Sequence, residues 1–137
     1  MTHKERMLTV LYEKNPTLTL APASLTKMMT ALVVLDFDPV SVEVTTPASC
    51  LNLPDSQKMG LVADERLTVG DLLAGLLIYS ASDAACALSS YRVPMSDFVA
   101  LMNKKAESLG MLQTKFDNPV GLDELNGGEH YSTAVDL

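Results

Sequence analysis

Ser24 stands three residues before Lys27, and Lys27 is the only charged side chain between Ala21 and Leu35. The stretch is apolar almost all the way round, the pattern of a buried helix rather than a surface one. A helix puts residues i and i+3 on one face, so the hydroxyl and the amine can meet. An amine stripped of water tends to lose its proton. A neutral lysine beside a serine is a base beside a nucleophile, and the chemistry of that pair is acyl transfer through a covalent intermediate. The competing reading is a lysine that lays its stem along an apolar surface and carries its amine out to water. Ser-x-x-Lys occurs once in the chain and opens the predicted helix, which sharpens the catalytic reading.

Other reactive side chains are sparse. His3 and His130 are far apart and no Cys-x-x-Cys accompanies them, so no metal site is expected. Cys50 and Cys86 allow one disulfide, but sequence alone does not show whether they meet. Cys86 falls in a predicted apolar helix and reads as a small buried thiol.

The elements that must hold the pair follow from local signals. Met7 to Glu13 has the β-branched and aromatic content of a strand, and Asn15-Pro16 reads as a turn. Pro22 suits the first turn of a helix running from about Ala23 to about Leu35. Asp38-Pro39 ends it, since a residue before proline is pushed out of helical geometry. Val40 to Thr46 alternates like a short strand, and Pro47 to Gly60 reads as irregular, with a turn at Pro54-Asp55. Thr68 is a plausible N-cap for an apolar helix through Tyr79, and Ser82 or Asp83 for the next one. Ser96 is expected to cap an amphipathic helix carrying Phe98, Val99, Met102, Ala106 and Leu109, with Gly110 as its stop. Asn118-Pro119-Val120-Gly121 is a turn signal, and Ser132 to Leu137 reads as the start of a helix.

The chain has 137 residues, 47% of them apolar and 20% charged, which suits one globular domain with a modest core. A net charge of −7 with scattered cations argues against binding to nucleic acid. No apolar run reaches the roughly 20 residues needed to span a bilayer, and no apolar segment follows the charged N-terminus as in a signal peptide.

The words around the serine and lysine carry a resemblance. The run from Pro22 to Leu32 resembles the active-site helix of the serine D-alanyl-D-alanine carboxypeptidases, the low-molecular-mass penicillin-binding proteins, which share the Ser-x-x-Lys signature. Leu67–Leu73, Tyr79–Ala85, Val99–Ala106, Asn118–Asp123 and His130–Leu137 are similar to further blocks of that family, in the same order. The resemblance implies an α/β fold of the β-lactamase and transpeptidase type, an antiparallel sheet flanked by helices. Residues 1–137 would form one partial domain of it, predominantly α-helical with a few short strands. Ser24 would be the acylated nucleophile, Lys27 the residue that activates it, and Ser80 the relay of a proton to the leaving group. Ser82 would stand in the substrate-binding position where the family has asparagine. Asparagine both accepts and donates, whereas a serine hydroxyl is shorter and has one proton, so weaker positioning is expected.

The family's third motif, Lys-Thr-Gly on a strand lining the site, does not occur in these residues, since Lys58-Met59-Gly60 precedes the second motif. That strand normally supplies a carboxylate anchor and one donor of the oxyanion hole, and loss of one such donor typically costs on the order of 10²–10³ in rate. The resemblance therefore implies the amino-terminal part of an exported cell-envelope enzyme. Its substrate would be a peptidoglycan stem peptide ending in D-Ala-D-Ala, it would be acylated by β-lactams, and it would need no cofactor. A non-catalytic muropeptide-binding relic and a serine β-lactamase are the alternatives. An N-terminal strand without its partners would leave an open edge, from which self-association is expected.

Overall fold

The computed structural model describes residues 9–54, 56–123 and 129–137. It is mostly helical. Helices α1 (Thr26–Phe37), α2 (Val69–Ile78), α3 (Ser82–Ser90) and α4 (Met95–Ser108) gather around one core, and strands β1 (Glu43–Thr45) and β2 (Arg66–Thr68) form a two-stranded antiparallel sheet. Glu43 faces Thr68, Val44 faces Leu67 and Thr45 faces Arg66, and Val44 turns into the core.

Helix α3 is the centre. Residues Ser82 to Ser89 are all buried, and α1, α2 and α4 each pack against it. Its side chains are small (three alanines, a cysteine and three serines, with one leucine and one aspartate, from Ser82 to Ser90), which lets three helices approach closely. Helix α1 buries Met29, Val33 and Val34 on one side and leaves Met28, Leu32 and Leu35 about half exposed on the other. An apolar helix with one face covered is what its all-round hydrophobicity becomes here. Asp38, extended before Pro39, ends α1 and is itself buried. Its carboxylate accepts from the Tyr91 hydroxyl and the Arg92 guanidinium, which ties the end of α1 to the end of α3. Burial, and then the Asp38 contact, push the Tyr91 hydroxyl up to about 12.

Thr68 caps α2 as its sequence suggests. The Asp71 N–H donates to Thr68 Oγ1 at 3.1 Å and the Thr68 N–H donates back to the Asp71 carboxylate at 3.2 Å. Gly110 likewise closes α4. At φ +79° it lets its own N–H reach the Glu107 carbonyl and the Met111 N–H reach the Ala106 carbonyl, both at 3.0 Å.

Elsewhere the chain departs from its local signals. Met7 and Leu8 lie outside the described residues, and residues 9–13 form no strand, with Leu11 94% exposed. Strand-like composition does not make a strand where no neighbour supplies hydrogen bonds. The open edge expected there is therefore absent from the described residues. Helix α3 has Ala81 at its N-cap and α4 has Pro94, neither with a side-chain cap, so Ser82, Asp83 and Ser96 stand inside the first turns. Proline's fixed φ and missing N–H open α4 two residues before the serine. Ser132 to Leu137 makes a single turn after an isolated bridge to Leu20, not a helix. Asp55 of the expected Pro54-Asp55 turn lies outside the described residues. Cys86 is not a free thiol: it is bonded to Cys50, which the short 3₁₀ turn Ala48–Leu51 places with its Cα 5.5 Å away.

Candidate active site

The chain reaches the site from Leu20, whose N–H and carbonyl both pair with Ser132 at 2.9 Å. Pro22 is buried, Ala23 is held at φ +48°, and Ser24 lies exposed in a 3₁₀ turn, Ala23–Leu25, that leads into α1. Lys27 sits one turn later and is only 3% exposed. Its stem does not snorkel. Nζ lies 3.0 Å from Ser24 Oγ and 3.0 Å from the Val120 carbonyl oxygen, to both of which the amine can donate. Burial lowers the Lys27 pKa from the ordinary 10.5. At the same separation a neutral amine presents its lone pair to the serine hydroxyl, which then becomes the donor.

The Val120 carbonyl is brought in by the turn at Asn118-Pro119-Val120-Gly121. Asn118 is fully buried, and its Oδ1 accepts the N–H groups of Val120, Gly121 and Leu122. Its Nδ2 donates to Asp117 and to the Leu122 carbonyl. The turn seats on the start of α1 through the Thr30 hydroxyl, which donates to the Pro119 carbonyl at 2.7 Å. It also seats through Gly121, at φ +85°, where a Cβ would fall 1.9 Å from the Ala23 carbonyl oxygen. Only glycine permits that approach. Buried His130 keeps Nδ1 2.7 Å from Asp117, beside Asn118, so its ring serves this network. Among the described residues no group of His, Cys, Asp and Glu is placed to hold a metal ion.

Ser80 and Ser82 flank the junction of α2 and α3. Ser80 is partly buried and held at φ +60°; Ser82 is buried, its N–H donating to the Gln57 carbonyl at 2.8 Å. The side chains of Ser24 and Lys27 are hydrogen-bonded to each other, whereas no hydrogen bond links Ser80 or Ser82 to either of them among the described residues. Sequence reasoning passed over Val120 and Thr30. A backbone carbonyl 93 residues away from Lys27 has no side-chain signature, and the Asn-Pro-x-Gly turn was the only trace of it.

The family model described as D-alanyl-D-alanine carboxypeptidase (peptidase S11) matches residues 6–137. The chain is 40% identical over 134 residues to the D-alanyl-D-alanine carboxypeptidase DacF of Bacillus subtilis, a match covering 93% of this chain and 33% of that protein. The crystal structure of the D-alanyl-D-alanine carboxypeptidase DacD from Francisella tularensis superposes with a TM-score of 0.87 at 34% identity, over 96% of this chain and 32% of that one. Penicillin-binding protein 5 from Haemophilus influenzae gives 0.82 at 35%, over 93% and 39%. The chain thus spans about a third of the length of these relatives and shares their fold over that part. With its sequence matched almost end to end, the chain belongs to the D-alanyl-D-alanine carboxypeptidase family, peptidase S11.

Proposed function

We propose that this chain carries the nucleophile and base of a serine D-Ala-D-Ala carboxypeptidase of peptidoglycan maturation, as part of one transpeptidase-like domain. The observation that carries the reading is the 3.0 Å contact between Ser24 Oγ and a buried Lys27 amine whose pKa is lowered. Neutral Lys27 takes the Ser24 proton as Oγ attacks the carbonyl of the penultimate D-alanine. The Ser24 N–H, in the turn that opens onto α1, faces the developing oxyanion from the positive end of the helix dipole. Ser80 passes a proton to the departing D-alanine nitrogen as the peptide bond breaks. Water then attacks the Ser24 ester and releases the shortened peptide. Ser82 contributes to holding the substrate. A β-lactam enters by the same attack, its ring amide opening to leave an ester on Ser24.

The substrate, the sensitivity to β-lactams and export to the envelope are part of this proposal. The Cys50–Cys86 disulfide supports export, because such bonds persist in oxidising compartments outside the cytoplasm. Incubation with a penicillin followed by intact-mass measurement tests the assignment. One covalent adduct per chain is expected, mapping to Ser24 and absent from Ser24→Ala. An adduct that survives that substitution would remove Ser24 from the mechanism.

A further inference from the structure

We infer that Asp83 is a positioning residue for the Ser80–Ser82 turn, acting through a strap formed by residues 57–61; the inference rests on the reading of Ser80 as the proton relay. Asp83 is 1% exposed, and no basic side chain pairs with it among the described residues. Its charge is met by four backbone N–H groups. Oδ1 accepts from Met59 and Ala84 at 3.0 Å each, and Oδ2 accepts from Gly60 at 3.0 Å and Leu61 at 3.1 Å. A buried carboxylate is tolerated only when its lone pairs are filled in this way. Only the Ala84 bond is local to the helix. The other three reach a segment more than 20 residues earlier in the chain.

That segment is fastened to residues before and after Ser80. The Ser82 N–H donates to the Gln57 carbonyl at 2.8 Å, and the Ala81 N–H donates to the Gly75 carbonyl of α2 at 3.1 Å. The Met59 side chain lies over Gly75, where a Cβ would come within 2.5 Å of the sulfur, so the last turn of α2 also touches the strap. One helical turn beyond Asp83, the Cys50–Cys86 disulfide ties the 3₁₀ turn Ala48–Leu51, which precedes the strap in the chain, to α3. Between these anchors stands Ser80, at φ +60°, a conformation that a non-glycine residue keeps only when its surroundings hold it there. Asp83 supplies more of those anchors than any other side chain near the turn. Asparagine cannot replace it, because the amide has one acceptor oxygen and would turn its NH₂ toward two of the four N–H donors.

The test uses the whole chain as wild type, Asp83→Asn and Asp83→Ala, the first substitution keeping volume where the second could unfold the protein. The labelling rate of Ser24 by a fluorescent penicillin is measured against penicillin concentration, which separates the saturating rate from the half-saturating concentration. A purely structural role would lower the labelled fraction and leave the rate of the folded fraction alone. The inference predicts a saturating rate about tenfold lower in Asp83→Asn, below the roughly 10²–10⁴ that loss of a proton-transfer group costs. The half-saturating concentration should rise by less than the saturating rate falls, and Asp83→Ala should be slower still. An Asp83→Asn protein labelled as fast as wild type overturns the inference. Amide hydrogen exchange by NMR is read on the same samples. Met59, Gly60, Leu61 and Ser82 should exchange as one unit in wild type and all faster in Asp83→Asn, with α1 and α4 unchanged. A Ser82 amide that stays protected while 59–61 loosen overturns it as well. If wild type is not labelled at all, the acyl-transfer reading of this chain fails; the exchange data then decide alone whether Asp83 anchors the turn.

Discussion

At the scale of single residues, Lys27 sets the electrostatics of the site. Its ammonium form is easily hydrated in the unfolded chain, where the ordinary value of 10.5 applies, and is penalised in the fold, where burial lowers the pKa. Between the two values the unfolded state holds more protons, so stability rises with pH across that window. Lys27→Met should therefore gain stability on wild type at pH values below the folded pKa, and the gap should shrink as pH climbs towards 10.5. Urea unfolding of both proteins over that range checks the sign. A gap that is constant or widens with pH would mean that the amine carries no burial penalty. This residue was legible in the sequence because one charge in an otherwise apolar helix has few places to go. Its second partner was not, because the Val120 oxygen is main chain.

Among the elements, the turn after Asn118 does for the site what a side chain alone could not. It packs on the first turn of α1 so closely that Gly121 has no room for a methyl group. Gly121→Ala combines a clash with the Ala23 carbonyl and a positive φ, and should cost on the order of 2 kcal/mol or more. It should also slow Ser24 labelling, since the Val120 carbonyl must retreat with the turn. Thermal unfolding and labelling rates read the two effects separately, and a fully active, fully stable variant would contradict the packing described. The capping box at Thr68 and the glycine stop at Gly110 were legible because each is a local hydrogen-bond pattern written in three or four residues. What depended on distant partners was not. Residues 9–13 have strand-like side chains with no strand beside them among the described residues, Pro94 pre-empts Ser96 at the start of α4, and the Cys50–Cys86 bond needs the 3₁₀ turn to be folded onto α3 first.

For the whole molecule, one core is closed and one surface is not. Met28, Leu32 and Leu35 line the outer side of α1, and Leu25, just before it, is exposed together with Leu18 and Leu20. An apolar surface of this kind draws partners, so self-association is expected to run through this face rather than through a strand edge. Light scattering on the isolated chain should give a mass that rises with concentration, and Met28→Lys with Leu32→Lys should hold it at the monomer value. A wild-type monomer at high concentration would count against this. The same closed core is what keeps water from Lys27, because α1 is held by α3, by α4 and by the Asn118 turn together. The most direct measurement is therefore an NMR titration of the Lys27 side chain, followed at its Cε carbon and assigned by its loss in Lys27→Met. Lys27 should deprotonate well before the ordinary 10.5, with Ser24 labelling rising over the same pH range; a Lys27 signal that titrates with the exposed lysines would contradict a buried, uncharged amine at the site.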